Sequence, residues 1–230
     1  MKTVICEQTP TSFFLPAQAI LACFHAKSNE ETRYYLQGVY VEAMTHADAP
    51  EIESLCAVAT DGHVMLHCEL PERAFIGADV STQSNESART RGFILDFDVM
   101  EKALKAKSKS GEIWLYGDTD TGIIQVVDLH RKAEPSDPLA RMGVLEFTRI
   151  DGTYPDWSRV MPKESGAGVS GCIFDPALLA RLAKAGNLLS GHKSARVELT
   201  QAETGDPMRV KFSGAPTLTG VMMPCRFLDS

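Results

Sequence analysis

One arrangement repeats three times along the chain: a strand and a helix, followed by three more strands. The predicted helices cover residues 15–26, 98–110 and 175–186. The strands around them are short, rich in Val, Ile, Tyr and Phe, and separated by Gly, Asp, Asn and Pro. Three copies in 230 residues give about 77 residues each, and such a period indicates an architecture built by repetition. The sequence therefore predicts an α+β fold made of βαβββ units.

Three polar stretches predict where the chain leaves its regular elements. Residues 76–92 and 131–143 indicate loops, and residues 163–170 (KESGAGVS) indicate a linker between the second and third units. We therefore expect two domains, residues 1–163 with two units and residues 164–230 with one.

Composition limits the classes of function. No apolar run is long enough to cross a bilayer, and the first residues lack a signal-peptide pattern, which predicts a cytoplasmic protein. A net charge of −7 argues against simple surface binding to nucleic acid unless the basic residues are segregated. The scattered cysteines are interpreted as buried free thiols: Cys6, Cys23, Cys56, Cys68, Cys172 and Cys225.

Two of the predicted helices carry their basic residues away from an apolar stripe. At 100° per residue, one sector of the second helix holds Lys102, Lys105 and Lys109. In the third helix Arg181 and Lys184 face away from the leucines, Asp175 caps the start and Gly186 is expected to end it. These cations either contact nucleic acid or form the solvated face of ordinary amphipathic helices.

Four segments, in order, resemble the bacterial replicative sliding clamp, the beta subunit of DNA polymerase III. They are RYYLQGVYVE from Arg33, VATDGHVML from Val58, IDGTYPDWSRVMPKE from Ile150 and VMMPCRF from Val221. The resemblance runs over nearly the whole chain. It departs from the family at Val64, where an arginine is usual, at the 131–143 loop, which looks like an insertion, and at the last three residues.

The resemblance implies a DNA clamp fold, with helices on the inner face and antiparallel sheets outside. Residues 1–163 resemble the family's middle domain, and residues 164–230 resemble the second half of its last domain. Family rings contain twelve units, so three per chain implies a homotetramer, with a trimer if the chain holds four. The ring would encircle double-stranded DNA independently of base sequence through Lys102, Lys105, Lys109, Arg181 and Lys184.

The resemblance also implies an apolar cleft that receives short peptides from DNA polymerase, the clamp loader and repair proteins. Such a peptide contains Gln and a Leu–Phe-like pair. Without the resemblance, the same positions would be interpreted as core and strand-end residues. The cleft positions carried over are Leu36, Thr60, Gly62, His63, Met65, Pro155, Arg159, Val160, Val221, Met222, Met223, Pro224, Cys225 and Arg226.

Patterns of catalysis and cofactor binding are missing from the sequence. It contains neither a GxxxxGK[ST] phosphate loop nor a GxGxxG fingerprint. His63 and His67 lie on one face of a strand without a third ligand, and Asp61 with Gly62 is interpreted as a turn. We expect no catalytic site, no cofactor and no metal. An alternative to the ring is a clamp-like module that binds clamp-binding peptides without encircling DNA; a DNA-modifying enzyme on this scaffold ranks last.

Overall fold

The structure is a computed structural model that separates into two compact units. Unit 1 comprises Met1–Ala17, Tyr40–Cys56 and Leu70–Ile150, and unit 2 comprises Gln18–Val39, Ala57–Glu69 and Asp151–Ser230. The division into domains at residue 163 concerns the family's domains and stays a prediction. The structure describes residues 12–46, 49–77, 91–96, 112–118, 122–129, 141–162, 173–203 and 205–225.

Unit 1 contains a five-stranded antiparallel sheet. Its order is β5-β1-β7-β8-β9, and β1 pairs with β7 from Ser12 opposite Asp118 to Pro16 opposite Trp114. Alternate residues of a strand point to opposite faces. The five strands are β1 (Ser12–Pro16), β5 (Phe75–Ile76), β7 (Ile113–Asp118), β8 (Ile123–Asp128) and β9 (Arg141–Glu146).

The core of unit 1 is aromatic. Phe14 stacks on Trp114 with ring centroids 4.5 Å apart, and Phe13 packs against Phe93 and Phe147 at 5.1 and 5.6 Å. A second group of strands in this unit has the order β10-β6-β2-β3. Its members are β10 (Thr148–Ile150), β6 (Arg91–Asp96), β2 (Val39–His46) and the first part of β3 (Ala49–Thr60).

Unit 2 continues from the last residues of β3 in the order β3-β4-β13-β12-β11. The burial of β12 alternates, with Met208, Val210 and Phe212 buried and Lys211 exposed, as a strand with one buried face requires. Helix α2 contacts β4 and β13. The elements are β4 (Val64–Glu69), β11 (Val197–Thr200), β12 (Met208–Phe212), β13 (Leu218–Met222), α1 (Ala17–Phe24), α2 (Pro176–Ser190) and two 3₁₀ helices (Glu31–Leu36 and Trp157–Val160).

These elements confirm the α+β class and most of the predicted strands. The predicted helix at 15–26 is present as α1, whereas the predicted helix at 98–110 lies outside the described residues. Residues 33–36, the start of the segment RYYLQGVYVE, belong to a 3₁₀ helix and not to a strand. The reason is a turn: the N–H of Gln37 donates to the carbonyl of Tyr34 at 3.0 Å, and the chain extends only from Val39.

Helix α2 shows that the prediction for Gly186 is wrong. Asp175 caps the start as expected, with Oδ1 accepting the Ala177 N–H at 2.8 Å. The helix continues through Gly186 and ends at Gly191, which has φ of 69°. A Cβ at Gly186 would collide with the ring of Phe212. This glycine therefore serves the close packing of α2 on β12, a requirement that its own sequence neighbours do not reveal.

The cysteine prediction holds in part. Cys23, Cys56 and Cys68 are buried free thiols, as expected. Cys225 is exposed, because it follows the end of β13 instead of lying within a strand. Cys6 and Cys172 lie outside the described residues.

Candidate functional site

A tight turn between β3 and β4 is the centre of the candidate site. Asp61 Oδ1 accepts the N–H groups of His63 and Val64 at 2.8 and 2.9 Å. Thr60 Oγ1 accepts the Gly62 N–H at 3.0 Å and donates to the Val64 carbonyl at 2.8 Å. Gly62 has φ of 90°, a conformation that side chains disfavour. The prediction that Asp61 and Gly62 form a turn is confirmed.

The second oxygen of Asp61 binds Arg181 of helix α2. Nη1 of Arg181 lies 2.5 Å from Asp61 Oδ2, and the two side chains keep only 32% and 15% of their exposure. Burial alone would raise the pKa of Asp61. Hydrogen bonds from Val64, Arg181 and His63, together with the charge of Arg181, outweigh burial and lower the pKa below its ordinary value. Asp61 is therefore held as a carboxylate.

The end of β13 lies beside this turn. Val221 pairs with Met65 and Met222 with Val64 across the two strands. The N–H of Met223 then donates to the carbonyl of His63 at 2.9 Å. Past that point the chain leaves the sheet, and Met223 becomes exposed.

The segment from Gly152 to Val160 packs against β4 through an aromatic contact. Trp157 lies over the ring of His67 in β4, with centroids 4.7 Å apart. Burial lowers the pKa of His67; the charge of Glu69 opposes this shift and that of Arg209 adds to it. A neutral imidazole therefore supports the 3₁₀ helix that carries Arg159 and Val160.

The first 3₁₀ helix approaches from another side and adds an aromatic residue that the sequence did not single out. Arg33 Nη1 lies close to Gly62, within 3.2 Å of where a Cβ would stand. The ring of Tyr34 packs near Gly152 and against Tyr35. Its hydroxyl-bearing ring is half exposed. A tyrosine next to the predicted Leu36 was the available signal, but sequence alone does not show which neighbour faces outward.

Half of the predicted cleft positions are exposed. Leu36, Met65, Val221 and Met222 are buried, Thr60 and Pro224 are half-buried, and Arg226 lies outside the described residues. In the described part of unit 2, the large apolar side chains that remain exposed are Tyr34 at 52%, Val160 at 45% and Met223 at 37%. The exposed predicted positions are Gly62, His63, Pro155, Arg159, Val160, Met223 and Cys225.

The five residues predicted to face DNA fall into three groups. Lys102, Lys105 and Lys109 lie outside the described residues. Lys184 is exposed on α2, whereas the guanidinium of Arg181 binds Asp61 and two carbonyls. Their contact with DNA stays a prediction.

Among the described residues, no group of three or more His, Cys, Asp or Glu side chains is placed to hold a metal ion. No helix in the described ranges is long and apolar enough to cross a bilayer.

Comparison with known proteins shows which proteins the chain resembles. No family model matches the chain. The beta sliding clamp of Caulobacter vibrioides is 27% identical over 176 residues, which cover 76% of this chain and 39% of that protein. A Bartonella birtlesii sliding clamp bound to griselimycin superposes with a TM-score of 0.57 at 20% identity, covering 99% of this chain and 69% of that one. The Caulobacter crescentus pol III beta structure gives 0.57 at 17%, covering 99% and 69%.

The chain is similar in sequence and in fold to the bacterial beta sliding clamps. The resemblance based on four segments is thereby confirmed, as is the clamp fold. The matched region spans about two fifths of the length of the curated relative. The turn, the end of β13 and the 152–160 segment of this chain all lie within unit 2.

Proposed function

We propose that the chain is a DNA sliding clamp: a ring-forming accessory protein, without a catalytic site of its own, that encircles duplex DNA and holds DNA polymerase on it. One observation carries the proposal. Exposed Tyr34, Val160 and Met223 stand on segments that contacts connect to the Asp61 turn and β4, in a chain with the clamp fold. Grouped exposed apolar side chains are typical of a partner-binding surface.

The chemistry of this surface suits a short peptide. Val160 and Met223 offer apolar contact, and methionine adapts its shape to different ligands. Arg159 and His63 are exposed in the same unit and offer polar contacts that would fix the orientation of a peptide. The proposed ligands are peptides of DNA polymerase, the clamp loader and repair proteins that contain Gln and a Leu–Phe-like pair.

The DNA-binding part of the proposal concerns the basic residues. Lys184 on α2, together with Lys102, Lys105 and Lys109, would contact phosphates without reading bases, which suits a protein that slides. We also propose self-association into a closed ring, a tetramer or alternatively a trimer. The division into two domains at residue 163 is proposed with it.

Docking is tested by peptide binding to the full chain. The probe is a fluorescent peptide containing Gln and a Leu–Phe pair, and the readout is anisotropy. Val160→Asp should weaken binding by at least about thirtyfold, because burying a carboxylate against apolar contacts is costly. Val144→Asp is the matched control, since Val144 is an equally branched, exposed residue of unit 1. Equal affinity in all three proteins would refute the docking site.

Encirclement is tested by mass and by topology. Solution mass at working concentration should give a closed oligomer. The protein should remain on nicked circular DNA after a wash and slide off the same DNA once it is linearised. A monomer that is retained equally on both forms is incompatible with a ring.

A second function is favoured by one feature of α2. Because Arg181 is engaged within the protein, Lys184 is the cation that α2 leaves exposed. A reduced basic face suits a module that captures clamp-binding peptides and regulates replication proteins without encircling DNA. Peptide binding together with a monomeric mass and no DNA retention would identify this alternative.

A further inference from the structure

We propose that Arg181 is a positioning residue for the peptide-docking site: it locks the Asp61–His63 turn to helix α2 and to the end of α1, and it does not contact DNA. This inference rests on the docking function proposed above. It departs from the expectation that Arg181 and Lys184, one helical turn apart on α2, perform the same task.

The guanidinium of Arg181 donates to three acceptors on two other segments of unit 2. Nη1 donates to the carboxylate of Asp61. Nε donates to the carbonyl of His25 at 3.1 Å, and Nη2 donates to the carbonyl of Lys27 at 3.3 Å. These partners lie 120 to 156 residues away in sequence. A single side chain thus connects α2, the β3–β4 turn and the chain that follows α1.

The position after α1 explains why a cation is favourable there. The last carbonyls of a helix have no partner within the helix and carry partial negative charge. After Phe24 the chain tightens, with Ala26 N–H donating to Cys23 O at 2.9 Å and Lys27 N–H to Phe24 O at 3.3 Å. The carbonyls of His25 and Lys27 then accept from Arg181. The planar fork of arginine reaches several acceptors at fixed angles, which a lysine ammonium cannot do.

Asp61 transmits this connection to the docking surface. Its Oδ2 binds Arg181 while Oδ1 orders the N–H groups of His63 and Val64. The carbonyl of the same His63 accepts the N–H of Met223. Fixing the carboxylate therefore fixes the backbone that carries Gly62, His63 and the start of the exposed Met223 segment. Preorganised sites bind more tightly because less freedom is lost on binding.

The same geometry removes Arg181 from the DNA-binding set. Its charge is compensated by Asp61, and its exposure is about a third. A phosphate would have to displace a short, partly buried carboxylate contact. Lys184 is exposed on the same helix, so the two cations make a matched pair with different predicted tasks.

The test measures peptide affinity and DNA retention in the full chain. The fluorescent Gln and Leu–Phe peptide reports docking, and retention on circular DNA at increasing salt reports phosphate contact. Arg181→Met and Asp61→Asn should each weaken peptide binding by about tenfold, and the double variant should be little worse than either. Asn keeps the acceptor for His63 and Val64, so Asp61→Asn removes the ion pair specifically. Arg181→Lys should recover only part of the loss.

Lys184→Met is the control. It should leave peptide affinity unchanged and lower the salt concentration at which DNA is released, whereas Arg181→Met should not change that release. Unchanged peptide affinity in Arg181→Met, alongside a loss in Val160→Asp, would overturn the positioning role and leave the docking site intact. A wild-type protein that does not bind the peptide would instead refute docking.

A readout independent of the peptide keeps the inference testable in every case. Amide hydrogen exchange at His63 and Val64 should accelerate in Arg181→Met and in Asp61→Asn, and should be unaffected by Lys184→Met. If Arg181→Met fails to fold, Asp61→Asn and Arg181→Lys carry the same test. Exchange that stays at the wild-type rate in the folded variants would overturn the proposal.

Discussion

The two tryptophans lie in different environments in units 1 and 2. In unit 1, Phe14 and Trp114 stack and are buried, so their rings complete a core. In unit 2, Trp157 is half-buried against the buried ring of His67, and Tyr34 is half exposed. Apolar surface that a chain could have buried, but leaves exposed beside a rigid turn, is available to a partner. The stacked rings of unit 1 thus complete a core, whereas Tyr34 of unit 2 stays exposed near the turn where we propose that a partner binds.

Alanine variants of the two tryptophans should show the largest difference in stability between the two units. Trp114→Ala should lower the free energy of unfolding by about 3–5 kcal/mol, because it empties a packed core position. Trp157→Ala should cost less stability and weaken peptide binding, because it removes support from the segment that carries Val160. Urea unfolding and peptide anisotropy measure the two effects. Equal stability losses would contradict the assignment.

Gly186 tests how tightly unit 2 is packed behind its surface. Gly186→Ala should lower the free energy of unfolding by about 1–3 kcal/mol, because the new methyl collides with Phe212. Adding Phe212→Leu should recover part of this loss. Thermal unfolding is the measurement, and a stabilised single variant would mean that the helix propensity of alanine outweighs the clash.

Two exposed rings, one in each unit, test the same difference with smaller expected effects. Tyr34→Ala should weaken peptide binding by about fivefold and leave stability within about 0.5 kcal/mol. Phe75→Ala, in the edge strand of unit 1, should lower stability slightly and leave peptide affinity unchanged. The reason is that the ring of Phe75 packs against that of Phe14, with centroids 6.0 Å apart. The reverse pattern would locate the binding surface in unit 1.

The smallest expected effect is a pH dependence from His67. Its pKa in the folded chain is below the ordinary value of 6.5 because it is buried. The unfolded chain therefore takes up the proton first. Stability should be constant above pH 6.5 and fall as the pH drops from 6.5 through the lowered pKa. His67→Phe should flatten this slope. Denaturant midpoints across pH measure it.

Local patterns predicted the elements that local interactions stabilise. Asp175 caps α2 because its carboxylate reaches a neighbouring N–H, and Asp61 with Gly62 turns the chain through bonds spanning a few residues. The cleft positions came from the family resemblance, and the structure brings the described ones into one unit while leaving their role as a proposal.

Contacts between distant parts of the chain were not predictable from these patterns. Helical spacing placed Arg181 and Lys184 on one polar face, yet Arg181 finds its partners more than a hundred residues away. Gly186 resembles a helix end and is a packing contact. The exposure of Tyr34 depends on how residues 31–36 turn, and the neighbouring residues in the sequence do not predict that turn.

Sequence alone predicted the α+β class, helices α1 and α2 and the Asp61 turn, because each follows from periodicity, capping or short-range hydrogen bonds. Only the tertiary structure decided which cation is neutralised, which glycine is packed and which aromatic rings remain exposed. The physical reason is that the environment of each of these residues is formed by segments far away in sequence, so it comes into existence only when the chain has folded.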